Sequence, residues 1–171
     1  AGVSKVWSTA SAGKGDIIRS YGAVAIDRHN ENFVEIVRTK TNGRGVDHIL
    51  DPIGGAHLKR SLSVLAQGGK LYTYGMSSAA PSSKRSLWKA LKALRSRPRF
   101  DPMLMMSRNQ GVFGVHMGTW NDEDVMQEQM QNILKGIKEG ALTPIIDSIY
   151  DAKDVAKAHQ HIHDGKNIGK V

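Results

Sequence analysis

The sequence predicts an α/β fold built on a mostly parallel, doubly wound sheet. Three observations point there. Short apolar runs alternate with segments of helical period along most of the chain. Each run ends at a glycine, an Asp-Pro pair or a cluster of small hydroxyl residues, as a strand does when it opens into a loop. The segments between runs are long enough for the helical crossovers that parallel neighbours need.

The elements follow in order. SKVWSTAS reads as a strand ending near Thr9, and AGKGDIIRSYG as a helix closed by Gly22. AVAID, residues 23–27, is a second strand. ENFVEIVRTKTNG puts Phe33, Ile36, Val37 and Lys40 on one helical face and stops at Asn42-Gly43. VDHILD, residues 46–51, is a third strand, held extended at Asp51 because a residue before proline is driven out of the helical region. AHLKRSLSVLAQGG aligns Leu58, Leu62 and Leu65 and is expected to remain helical to Gly68-Gly69. KLYTYG, residues 70–75, is a fourth strand.

The alternation then lapses. SSAAPSSKR is a loop, and SLWKALKAL carries Leu87, Trp88, Leu91 and Leu94 as an apolar stripe on a basic helix that SRPRFDP breaks. GVFGVHM, residues 111–117, is a fifth strand. NDEDVMQEQMQNILKGIKEG opens with an Asn121 cap and an acidic first turn, and its stripe is Met126, Met130, Ile133, Leu134 and Ile137. TPIIDSIY is extended, DAKDVAKAHQHIHDG is a last helix ending at Gly165, and NIGKV resembles the start of a further strand.

Composition narrows the function classes. The absence of cysteine excludes disulfides, thiolate zinc sites and a cysteine nucleophile, and is compatible with the cytosol. No apolar run approaches the roughly 20 residues of a membrane helix. The opening AGVSKVWSTA lacks the apolar stretch of a secretory signal. The net charge of +8 is concentrated in Lys84, Arg85, Lys89, Lys92, Arg95, Arg97 and Arg99, a distribution open to nucleic acid, anionic lipid or anionic small molecules.

In sheets of this kind, ligands sit beyond the C-terminal strand ends. The candidates are therefore 9–14, 27–28, 51–54 and 75–78. The first strand end carries Thr9, Ser11 and Lys14 and no acid, with Arg28 at the next. Those donors suit a ribose 2′-phosphate, whereas a site for a free 2′-hydroxyl places a carboxylate there. A serine-rich turn entering a capped helix accounts for the same residues. Gly54 and Gly75 allow a ligand close to the backbone, or simply make tight turns. AGKG lacks the spacing and the hydroxyl of a phosphate P-loop, and no G-x-S-x-G elbow is present. His159, His161 and His163 lack a third metal ligand nearby and read as a solvated helix end.

VWSTASAGKGDIIRSYGAVAIDR, GVDHILDPIGG, GGKLYTYGM and IHDGKNIGKV together resemble the medium-chain dehydrogenase/reductases. Within them, the zinc-free quinone oxidoreductase branch and the synaptic vesicle membrane protein VAT-1-like group are most similar. The resemblance spans essentially the whole chain and is loosest over 80–110. It implies a Rossmann-like cofactor domain over 1–171 that lacks its first strand and glycine-rich turn, the GroES-like catalytic domain lying outside this chain. The piece alone is expected to be inactive.

The resemblance also implies NADP(H) as cofactor and a hydride passed to a small quinone or enone. Thr9, Ser11 and Lys14 would face the 2′-phosphate. Arg28 stands where relatives often carry a tyrosine against the adenosine phosphate. Asp51, Pro52 and Ile53 would line the ribose side, Gly75, Met76 and Ser77 the nicotinamide half, and Phe113 and Val115 the carboxamide. It supplies no catalytic acid or base and no metal ligand. It suggests a homodimer through strand 111–117 and no nucleic-acid partner. The rival reading is a vesicle-associated binding protein that touches anionic membrane through the basic helix at 84–99.

Overall fold

The computed structural model describes residues 3–79 and 98–171, together with Trp88, Leu91 and Arg95. By internal contacts the chain divides into two compact units, Ala1–His116 and Met117–Val171.

The first unit alternates as expected: β1 (Trp7–Ala10), α1 (Gly15–Ser20), β2 (Val24–Asp27), α2 (Phe33–Lys40), β3 (Val46–Asp51), α3 (His57–Ser63), β4 (Leu65–Thr73), α4 (Pro102–Arg108) and β5 (Gly111–Gly114). Every ladder is parallel. β1 pairs with β2, while β3, β4 and β5 form a second sheet in that order. Among the described residues no ladder joins β1 to β3, so each of these strands is paired on one side only. The parallel strands and intervening helices match the α/β fold that the sequence suggests.

Local chemistry sets the boundaries. Asn32 caps α2 by accepting from the Val34 N–H at 3.2 Å, and the helix closes through Asn42 and Gly43, both at positive φ. Leu71 is wholly buried and packs with Leu58 and Leu65, and Ile49, Leu62 and Val112 close the cluster. The three leucines expected on one helix thus do share a core, but not one element.

That difference has a cause. The expected helix over 56–69 ends at Ser63, and the chain enters β4 at Leu65. Val46 pairs with Leu65 and His48 with Lys70, so the intervening residues of β4 bulge around Gly68 at positive φ. Gly45 makes room for this. A Cβ on it would strike the Val64 carbonyl.

Other boundaries also move. The fifth strand is regular only over Gly111–Gly114, although the Val115 N–H still reaches the Thr73 carbonyl at 2.9 Å. The segment expected as a helix break contains α4 a few residues on. Asp101 caps it by accepting from Met103 and Leu104, and Pro102 takes the first turn. The basic helix expected at 84–99 lies largely outside the described residues.

The second unit holds α5 (Glu123–Lys138) and α6 (Val155–His163). Asp122, rather than Asn121, caps α5, accepting from the Val125 N–H at 3.1 Å. The extended link and the last residues meet in a single parallel bridge, Ile146 to Lys170, with Asp147 N–H to the Lys170 carbonyl at 2.9 Å and Lys170 N–H to that of Ile145 at 2.8 Å.

Candidate functional site

The parallel ladders bring the predicted residues to the C-terminal strand ends in two groups. At the first, Thr9 pairs in register with Ile26 and Ala10 with Asp27, so the ends of β1 and β2 are level. Ser11 turns the chain, its carbonyl accepting from the Lys14 N–H at 2.9 Å, and the Arg28 N–H donates to the Ala10 carbonyl at 2.9 Å. Thr9, Ser11, Lys14 and Arg28 therefore share one strand-end corner. The Arg28 Nε lies 3.1 Å from His29 Nε2, and Lys14 makes no ion pair among the described residues.

A carboxylate, Asp27, also ends β2. It is occupied by its own turn, accepting from the His29 N–H at 3.0 Å and the Asn30 amide at 2.6 Å. The His29 backbone bond, then the Asn30 side-chain bond, hold its carboxyl below the usual range.

The second group joins the ends of β3 and β4. The loop after Asp51 is latched to the loop after Thr73 by three backbone bonds: Tyr74 N–H to the Asp51 carbonyl at 3.2 Å, Ser77 N–H to that of Pro52 at 3.1 Å, and Ser78 N–H to that of Ile53 at 3.0 Å. The loops touch at glycine. A Cβ on Gly75 would come within 2.5 Å of the Pro52 oxygen, and one on Gly54, at φ +73°, within 3.0 Å of the Gly75 oxygen. Asp51, Pro52, Ile53, Gly75, Met76 and Ser77 thus form one surface, with Met76 exposed. β5 extends it in register, Tyr72 opposite Phe113 and Thr73 opposite Gly114. Phe113 stacks on Tyr72 at 5.3 Å, and Val115 continues the ladder.

Beneath this surface lies an arrangement that the sequence reading missed. The Asp51 carboxylate is buried. One oxygen accepts from the Ile53 and Gly54 N–H groups at 2.8 and 3.0 Å. The other meets His57 Nδ1 at 2.9 Å and accepts from the Ser61 hydroxyl at 2.8 Å. Burial pushes the Asp51 pKa up, but the bonds from His57, Gly54, Ser61 and Ile53 outweigh it and lower it to about 2. An ionised carboxylate only accepts, so His57 Nδ1 carries the proton and donates. Phe33 stacks on the imidazole at 5.2 Å, and the Arg60 guanidinium lies 4.5 Å from the Phe33 ring. The i, i+4 spacing of His57 and Ser61 after the strand-end acid was the available signal.

In the second unit, His161 is not solvated. Its Nε2 lies 2.8 Å from Asp147 Oδ2, while His159 and His163 are exposed. No group of three or more potential metal ligands occurs among the described residues, and the chain has no cysteine. Nor is any described helix long and apolar enough to cross a membrane.

Two features of these surfaces bear on a dinucleotide ligand. Gly54 and Gly75 let the loops at the β3 and β4 ends close on each other, because a Cβ on either would strike the facing backbone. The corner at β1 and β2 offers cationic donors, and its carboxylates Asp27 and Glu31 are engaged locally, Glu31 accepting from the Asp27 N–H at 2.6 Å.

Comparison with known proteins agrees. The chain is 30% identical over 168 residues to the synaptic vesicle membrane protein VAT-1 homolog of Rattus norvegicus, covering 97% of this chain and 41% of that protein. It is 26% identical over 171 residues to quinone oxidoreductase from the same species, covering 98% and 46% respectively. The crystal structure of a Pseudomonas syringae quinone oxidoreductase superposes with a TM-score of 0.72 at 21% identity, over 97% of this chain and 47% of that one, which supports the fold. The chain therefore spans less than half the length of these relatives. A family model described as zinc-binding dehydrogenase matches residues 21–171. The chain belongs to this zinc-binding dehydrogenase family, within the medium-chain dehydrogenase/reductases.

Proposed function

We propose that the protein carrying this chain is an NADPH-dependent oxidoreductase of the quinone or enone reductase type, and that this chain forms most of its cofactor-binding sheet. The observation that carries the reading is the pairing of two strand-end surfaces: a glycine-latched ledge at β3 and β4, and a cationic corner at β1 and β2. A dinucleotide needs both, a place where its backbone-hugging half lies close and a place where its phosphate finds donors.

In this reading Lys14 and Arg28 neutralise the 2′-phosphate, and the Thr9 and Ser11 hydroxyls donate to it. The loop of Asp51, Pro52 and Ile53 holds the ribose side. Asp51 acts from below, fixing the two N–H groups that shape the loop. Gly75, Met76 and Ser77 meet the nicotinamide half, with Phe113 and Val115 beside the carboxamide. When bound, the nicotinamide supplies a hydride from C4 to an electron-poor acceptor. This chain orients the ring. The quinone oxidoreductase relative supports the substrate class.

The test is NADPH oxidation by the protein that carries this chain, with a panel of quinones and enones. Acceptor-dependent loss of NADPH absorbance, much faster than with NADH, is the expected result. Equal rates with NADH, or none with any acceptor, would overturn the reading.

A further inference from the structure

The opposite end of the β3–β4–β5 sheet holds a second feature that the cofactor reading does not use. A pocket of about 320 Å³ opens where the strands begin, at Gly45 before β3, Leu65 at the start of β4 and Gln110 before β5. Three arginines, Arg38, Arg44 and Arg108, line it, and no acid is among its described lining residues. We propose that this pocket is a binding site for a phosphomonoester dianion.

The three guanidinium groups differ in what already holds them. Arg38, in the last turn of α2, donates to the Ser63 carbonyl at 3.2 Å, which fixes its plane and leaves other N–H groups outward. Arg44 is paired with Asp47, which is not a lining residue. Arg108, at the end of α4, has no side-chain hydrogen bond or ion pair among the described residues. One cation is thus positioned, one is steadied and one is free to meet a ligand.

The neutral groups add to the selectivity. The Ser63 and Ser107 hydroxyls spend their protons on the carbonyls of Arg60 and Leu104, at 2.7 and 2.8 Å. The Gln110 amide spends its own on Leu65 and Ala66. A neutral sugar or alcohol would find few donors here, whereas a dianion finds forked, charge-assisted ones. Basic residues often close helix C-termini, which accounts for Arg38 and Arg108 taken singly. It does not account for the convergence of all three arginines, one of them held in a two-bond pair by Asp47, on a pocket with no acid among its described lining residues. The pocket is large enough for a phosphate and a small organic group.

The ester could come from a soluble metabolite or from a lipid headgroup, and the test separates them. The protein carrying this chain is titrated by calorimetry at fixed ionic strength with inorganic phosphate, glycerol 3-phosphate and glycerol, and sedimented with vesicles containing phosphatidic acid. The expected result is saturable binding of glycerol 3-phosphate or of the vesicles, and none of glycerol. Preference between those two assigns the source. R38A and R108A should weaken binding on the order of tenfold or more. R108K, which keeps the charge and the fold but loses the fork, should also weaken it. R19A and K157A, which line neither the pocket nor the strand-end surfaces, should not. Undiminished affinity in R108A and R108K, or failure of both glycerol 3-phosphate and the vesicles to saturate, would overturn the proposal. None of these outcomes depends on whether NADPH binds at the opposite strand ends.

Discussion

The carboxylate of Asp51, the last residue of β3, lies 2.9 Å from Nδ1 of His57, the first residue of α3. With the Ser61 hydroxyl and two backbone N–H groups it ties the strand end, the glycine loop and the following helix to one buried charge. Replacing Asp51 by Ala strands all four donors and should cost about 3 kcal/mol in denaturant unfolding. Asp51→Asn keeps an acceptor for the loop but sets an amide against the His57 proton, and should cost about 1–2 kcal/mol.

The same carboxylate makes stability depend on acid. Its pKa is lowered from 3.8 in the unfolded chain to about 2 when folded. A depressed acid contributes stability that is complete above the unfolded value and lost as pH falls through the folded one. The contribution of about 2 kcal/mol should hold above roughly pH 4 and disappear toward pH 2. Unfolding free energy measured across that range should lose this slope in Asp51→Asn.

Gly75→Ala should push the Pro52 carbonyl away and open the latch between the two loops. NADPH affinity should fall on the order of tenfold, while Gly114→Ala, which meets nothing within 4 Å, should leave stability nearly unchanged. Fluorescence titration of the two variants checks this.

Lys14→Ala should weaken NADPH binding by roughly ten- to a hundredfold and NADH binding little, because only the 2′-phosphate distinguishes them. Competitive binding of both nucleotides gives the ratio.

Asp147 holds the second unit's bridge, accepting from the Ile168 N–H at 2.6 Å while His161 faces its other oxygen. The Ile168 bond first, then His161 and Ser148, keep its carboxyl below the usual range. Its contribution is present above the unfolded carboxylate value and lost in acid. His161→Ala should speed amide exchange at Asp147 and Lys170, read by NMR.

Much of the fold was legible because it rests on local signals. Alternating apolar runs, the apolar face of α2 and its stop at Asn42-Gly43 follow directly from residue type. The boundary of α3 was not legible, since Leu65 fits a helical stripe and a strand equally well; the bulge against Val46 decides it, and that is a long-range pairing. α4 was hidden by its Asp-Pro start, which reads as a break until Asp101 is seen capping. The strand-end residues were placed by the rule for parallel sheets, but their latch depends on Gly75 meeting Pro52 across two strands. No local pattern announces that contact. His57 and Ser61 were overlooked because a buried acid recruits partners only once α3 is docked.

The central claim is that a dinucleotide lies across the C-terminal strand ends. Hydrogen exchange of the protein carrying this chain, with and without saturating NADPH, tests it most directly. The account predicts slowed exchange in the loops at 9–14, 27–28, 51–55 and 75–78, with Gly45 and Gln110 at the far end unaffected. Protection confined to the far end, or absent from all four loops despite bound NADPH, would contradict it.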